Sequence, residues 1–140
     1  MKYNKIYVHT PDHYETGGVE ALFQLVDAIN NMGGNAIALF DRPDNYPVPL
    51  KYQHYNVPYI HTSMYEDREE NLVIVPEVWT ERLDSIRNAR KSIWWLSVDN
   101  NQAKFQNFSD SNIFHFYQSH YALNYLTSNN AICCLPLFDY

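Results

Sequence analysis

Between two pairs of adjacent glycines, Gly17 with Gly18 and Gly33 with Gly34, the apolar residues Val19, Leu22, Phe23, Val26 and Ile29 recur at steps of three and four. That spacing lines one face of an α-helix, with Thr16 placed to cap its start and the second glycine pair to end it. Residues 5–9 before it and 36–40 after it are apolar runs of strand length, so the opening of the chain predicts a strand–helix–strand unit. The alternation continues. Residues 72–75, 92–96, 113–117 and 132–135 read as further strands. Residues 81–89, with Leu83 and Ile86 on one face, and 121–128, with Ala122, Tyr125 and Leu126 inward, read as helices. Continuous apolar strands alternating with amphipathic helices predict an α/β fold: a mostly parallel sheet of about six to seven strands with helices on both faces. Between residues 41 and 71, Pro43, Pro47, Pro49 and Pro58 exclude a long helix, and a short edge strand within 55–60 is expected instead.

Composition narrows the class. With 140 residues the chain has room for one domain, and with 46% hydrophobic and 19% charged residues it can bury a core. A net charge of -6 lacks the basic footprint of a nucleic-acid binder or a polybasic membrane patch. The longest apolar runs, 93–96 and 72–75, fall far short of the roughly 20 residues that cross a bilayer, and the first residues lead into no signal-peptide core. The expected location is cytoplasmic, with no transmembrane segment and at most a peripheral membrane contact. Cys133 and Cys134 are adjacent in an apolar run, so they point to opposite faces of a strand. Buried thiols are expected there, not a disulfide, and no His or Cys neighbours stand at metal-ligand spacing.

In open parallel sheets ligands bind beyond the carboxyl ends of the strands. The segments that follow four of the predicted strands are polar: His9 to Gly18, Pro76 to Trp79, Ser97 to Asn100, and Gln118 to His120. Gly17 and Gly18 let a ligand approach the start of the helix, whose N–H groups favour an anion. The dinucleotide fingerprint and the P-loop are both missing, because Gly18 is followed by Val19, Glu20 and Ala21. A tight strand-to-helix turn is the structural alternative for this pair.

The block Thr16-Gly17-Gly18-Val19-Glu20 with Leu22, Leu25 and Ile29, followed by Gly33-Gly34-Asn35-Ala36, resembles the opening of family 4 glycosyltransferases of the GT-B type. The blocks Val75-Pro76-Glu77-Val78-Trp79, Ile93 to Asn100, and Tyr117-Gln118-Ser119-His120-Tyr121-Ala122 are similar to segments of such enzymes in bacterial surface-polysaccharide assembly. The resemblance covers nearly the whole chain and rests on the order and spacing of its motifs. It implies a single Rossmann-like domain over 1–140, the N-terminal, acceptor-side half of an enzyme whose second domain holds a nucleotide-sugar with a Glu-x7-Glu motif. That second domain is absent from this sequence. The fragment alone is therefore expected to be inactive, with no cofactor of its own and a saccharide or lipid-linked acceptor as partner.

Sugar transfer needs a group that positions or deprotonates an acceptor hydroxyl. Asp99, at a strand's carboxyl end, is the first choice for that contact, against a role as a helix cap. His120 is the second catalytic candidate, against a plain surface histidine. Gly17, Gly18, Glu77, Trp79, His13 and Ser119 are the expected substrate-binding residues, and no metal is expected. Asp12 shares the glycine loop with His13 without a stronger argument for function. Trp94 and Trp95 point to opposite faces of one strand and are read as core, and His115 as structural. Tyr46, Tyr52, Tyr55, Tyr59 and Tyr65 either stack on a ligand or, more simply, anchor the irregular segment. The rival reading is a free-standing flavodoxin-like binding module without transferase activity. A receiver-type version is disfavoured, since Asp12 stands alone and no lysine follows position 104.

Overall fold

The computed structural model describes residues 3–11, 17–41, 52–101 and 105–138. Within them one sheet is built from β1 (Ile6–His9), β2 (Ala36–Phe40), β3 (Tyr59–His61), β4 (Leu72–Pro76), β5 (Arg90–Trp95), β6 (Ile113–Tyr117) and β7 (Cys134–Pro136). The strands lie in the order β3-β2-β1-β4-β5-β6-β7 and every neighbouring pair is parallel. This is the α/β, Rossmann-like arrangement, with the chain reversing its direction of travel between β1 and β4; a flavodoxin-like sheet would instead place its third strand beside the first. The expected edge strand is β3, and it pairs with β2 from Ala38↔Tyr59 to Phe40↔His61.

Alternate residues of each strand feed two cores. On one face α1 (Gly17–Asn31) lays Val19, Leu22, Phe23 and Val26 against Val8, Ala38, Phe40 and Tyr52. On the other, Tyr7, Leu39, Val75 and Trp95 pack with Leu83, Ile86 and the inner residues Ala122 and Leu126 of α2 (His120–Ser128). Trp94 and Trp95 accordingly enter different cores, both buried. The tyrosines that are described anchor the segment before β4: Tyr52 stacks on Phe23, Tyr59 on Phe40, and the Tyr55 hydroxyl donates to Glu20. Tyr46 lies outside the described residues, as does Thr16, the expected cap of α1.

Both helices end by the same device. Gly33 has φ +91°, its N–H reaches the Asn30 carbonyl and the Gly34 N–H reaches Ile29. At the end of α2, Asn130 takes φ 65°, with its N–H on Thr127 and that of Ala131 on Leu126. These are paired left-handed closures that satisfy the last helical carbonyls.

Two expectations are corrected. The connection between β4 and β5 is not an α-helix over 81–89 but a 3-10 segment, Glu77–Ser85, interrupted at Trp79. Its buried residues, Glu77, Thr80, Leu83 and then Ile86, recur every three positions, the repeat of a 3-10 turn. Leu83 and Ile86 satisfy an α-helical pattern too, which is why two apolar residues alone misassign it. Second, Cys133 and Cys134 are free but only half-buried, because β7 is an edge strand beside exposed Ile132 and Leu135. In the charged run 66–70, Glu66 pairs with Lys5, and Asp67 receives the N–H groups of Arg87, Asn88 and Ala89.

Candidate functional site

A parallel sheet sends every strand's carboxyl end to one edge, so the residues after β1, β2, β3, β4, β5 and β6 all emerge there. The reversal between β1 and β4 opens a crevice at that edge, where such folds bind ligands.

Gly17 and Gly18 form the first turn of α1, and a Cβ added at Gly18 would meet nothing within 4 Å. The close approach expected at this turn is sterically open. His13 lies outside the described residues.

Glu77 follows β4 directly and is only 3% exposed. Its carboxylate accepts the backbone N–H of Ser97, and the Asn101 side chain donates to its carbonyl at 3.0 Å, so the loops beyond β4 and β5 are tied together. Burial pushes its pKa up to about 7, with the backbone N–H groups of Ser97, Glu77 and Val78 opposing. Glu77 thus holds the wall of the crevice in place. Asp99 lies in a 3-10 turn, Val98–Asn101, beyond β5, is exposed, and accepts the Tyr121 hydroxyl at 3.0 Å. That bond brings the ends of β5 and β6 together. Ser119 is the N-cap of α2, its hydroxyl accepting the Ala122 N–H at 3.2 Å, and His120 is exposed at the first helical position. His115 is internal: Trp95 Nε1 donates to its Nδ1 at 3.0 Å inside the aromatic core, and burial lowers its pKa to about 4.

A second polar group stands beside these residues. Arg82 lies 3.7 Å above the Trp79 ring, and its two terminal nitrogens grip both oxygens of Asp41, at 3.0 and 2.6 Å. The same guanidinium donates to His9 Nδ1 at 3.1 Å, and Thr62 donates to Asp41 at 2.6 Å. His9 is 4% exposed, and burial, helped by the Arg82 charge against that of Asp41, lowers its pKa to about 4. The Arg82 hydrogen bonds hold the Asp41 carboxyl below its usual range. Trp79 is therefore less an open stacking platform than the support of an ion pair. Asp41 and Thr62 could have been found by the rule already used, inspection of the residue after each strand, had it been extended to β2 and β3. Arg82 has its signal in the three-residue step from Trp79.

Among the described residues no group of three His, Cys, Asp or Glu side chains converges to hold a metal ion, and no helix is long and apolar enough to cross a membrane. Comparison with family models, curated proteins and solved structures returns no match.

Proposed function

We propose that this chain is the N-terminal, acceptor-side half of a GT-B glycosyltransferase, which receives a saccharide or lipid-linked acceptor while a facing second domain presents the nucleotide-sugar. One observation carries the reading: the segments whose sequence resembles that family, around Gly17 and Gly18, Glu77 to Trp79, Ser97 to Asp99, and Ser119 to His120, all emerge at the carboxyl edge of one parallel sheet. In this role Asp99 meets the acceptor hydroxyl, as a polar contact or as the base that takes its proton, because its carboxylate is exposed and held in place by Tyr121. His120, also exposed, stands one residue past the Ser119 cap as the second candidate to touch the acceptor.

The reading separates donor from acceptor. A ligand at 100 times its dissociation constant stabilises a protein by about 2.7 kcal/mol, a melting shift of several degrees for a domain this size. Melts of this chain with millimolar UDP, GDP or their sugars are expected to move by less than about 1 °C, while NMR titration with a panel of oligosaccharide acceptors perturbs the amides around Trp79, Asp99 and His120. A shift of several degrees with a nucleotide alone overturns the acceptor-half reading in favour of a self-contained nucleotide-binding module.

A further inference from the structure

The ends of β1, β2 and β3 and the 3-10 segment enclose an open cavity of about 190 Å³, lined by His9, Asp41, Thr62, Tyr65, Arg82, Ser85 and Ile86. We infer that this cavity is a subsite for a single ring of an uncharged saccharide, held by Asp41, His9 and Thr62. The inference rests on the acceptor reading only for the ligand being a saccharide; the cavity and its chemistry stand without it.

Charge comes first. Arg82 and Asp41 are joined by two hydrogen bonds, so the guanidinium charge is already balanced by a carboxylate at the cavity wall. Because arginine can only donate, His9 Nδ1 is the accepting nitrogen and the neutral ring carries its proton on Nε2. Burial keeps that ring neutral at pH 7. The described residues that line the cavity therefore carry no net charge to offer a phosphate or carboxylate.

Its hydrogen-bonding capacity has the mixture a polyhydroxylated ring requires. The Asp41 oxygens keep spare lone pairs beyond their bonds to Arg82 and Thr62. The Thr62 and Ser85 hydroxyls donate to Asp41 and to the Arg82 carbonyl, so each can still accept. His9 lines the cavity, and its Nε2 is a donor for which no described residue supplies a hydrogen-bond partner. Ile86 supplies an apolar wall for the C–H face of a ring. The volume equals about six water molecules at about 30 Å³ each, space of the size of one sugar ring. The Arg82 fork is fixed beforehand by Trp79 and Asp41, so little ordering remains at binding.

NMR titration of this chain with a panel of methyl hexopyranosides, hexose 6-phosphates and inorganic phosphate tests the inference, with the His9 ring resonances as readout. At least one methyl hexopyranoside is expected to move them with a dissociation constant on the order of millimolar, the affinity usual for a ligand of about a dozen non-hydrogen atoms. Thr62→Val, which keeps the shape and removes a hydroxyl, should weaken that binding about tenfold, and Ser85→Phe, which fills the cavity, should abolish it. The inference is overturned if no neutral pyranoside moves His9, if inorganic phosphate or the hexose phosphates bind more tightly, or if Thr62→Val leaves the affinity unchanged. Saccharides that perturb Asp99 and His120 but not His9 would remove this subsite and leave the acceptor reading standing. A strong response to nucleotides away from His9, with a neutral pyranoside still moving the His9 resonances, would do the reverse.

Discussion

The carboxylate of Glu77 accepts the backbone N–H of Ser97, joining the first residue after β4 to the loop after β5 through a buried acidic group. Its folded pKa, about 7, lies above the ordinary 4.5, so between those values the folded state holds a proton that the unfolded chain has lost. Stability from this group is full below pH 4.5 and declines as pH rises through 7, by about 3 kcal/mol for a shift of this size. His9 and His115, both lowered to about 4, gain stability over the same range, so the Glu77 contribution is read as a difference: in urea unfolding, the stability of the wild type relative to Glu77→Gln, which keeps an acceptor for Ser97 and cannot ionise, should fall between pH 5 and pH 8. Equal pH slopes in the two proteins would remove Glu77 as the cause.

The glycines separate into a permissive and a demanding class. A Cβ at Gly18 meets nothing, but one at Gly34 lies 2.6 Å from Ile29 Cγ2 and 3.1 Å from its carbonyl oxygen. Gly34→Ala should cost about 1–3 kcal/mol as overpacking, and Gly33→Ala about 1–2 kcal/mol for its left-handed backbone. Gly18→Val should leave the melting temperature within a few degrees, since surface changes of this kind fall within about 0.5 kcal/mol. In an enzyme that includes the donor domain, the same change should abolish transfer by filling the approach to the helix start. A folded Gly18→Val enzyme with full activity would place the ligand elsewhere.

How far the sequence could be read depended on how many residues voted for each element. α1 has five apolar positions in register and two glycines to end it, so its extent was predicted to within two residues of Gly17–Asn31. The strands β2 and β6, each a continuous apolar run, were predicted residue for residue. The β4 to β5 connection offered only Leu83 and Ile86, a separation common to α and 3-10 geometry, and the deciding evidence came from the polar residues Glu77 and Thr80, whose burial no hydropathy pattern anticipates. The same blindness hid the Arg82, Asp41 and His9 cluster. Three polar residues on different elements meet because β1 lies between β2 and β4, and adjacency in a sheet is decided by topology.

Asp67 illustrates a charge that serves the fold. Burial raises its pKa, but the N–H groups of Arg87, Asn88 and Ala89, together with the Lys91 charge, outweigh this and hold it below the usual 3.8. A carboxylate bound by three backbone donors is contributing charge-assisted hydrogen bonds, and Asp67→Ala should cost about 2 kcal/mol at pH 7. Since the folded pKa is depressed, that contribution is present above pH 3.8 and is lost as pH falls through the folded value. The gap between wild type and Asp67→Ala in denaturant melts should therefore narrow in acid. A constant gap from pH 7 down to the folded pKa would mean the charge is irrelevant to the turn.

Asp99 and Tyr121 allow geometry and catalysis to be tested separately. The phenol donates to the carboxylate at 3.0 Å, and that hydrogen bond, with the carboxylate's charge, raises the Tyr121 pKa above 10.0. Asp99→Asn removes the charge, so the ultraviolet titration of Tyr121 should move down toward the ordinary value, showing that the pair exists in solution whatever the enzyme does. Both side chains are exposed, so folding stability should change by less than about 1 kcal/mol. In an enzyme that includes the donor domain, the acceptor reading expects Asp99→Asn to cut turnover about 100-fold or more if the carboxylate takes the hydroxyl proton. Tyr121→Phe keeps the carboxylate and removes only its anchor, so turnover should fall just a few-fold. A shifted Tyr121 titration with turnover lowered only a few-fold in Asp99→Asn would reduce the carboxylate to a tie between the ends of β5 and β6, and the base would have to be sought at His120.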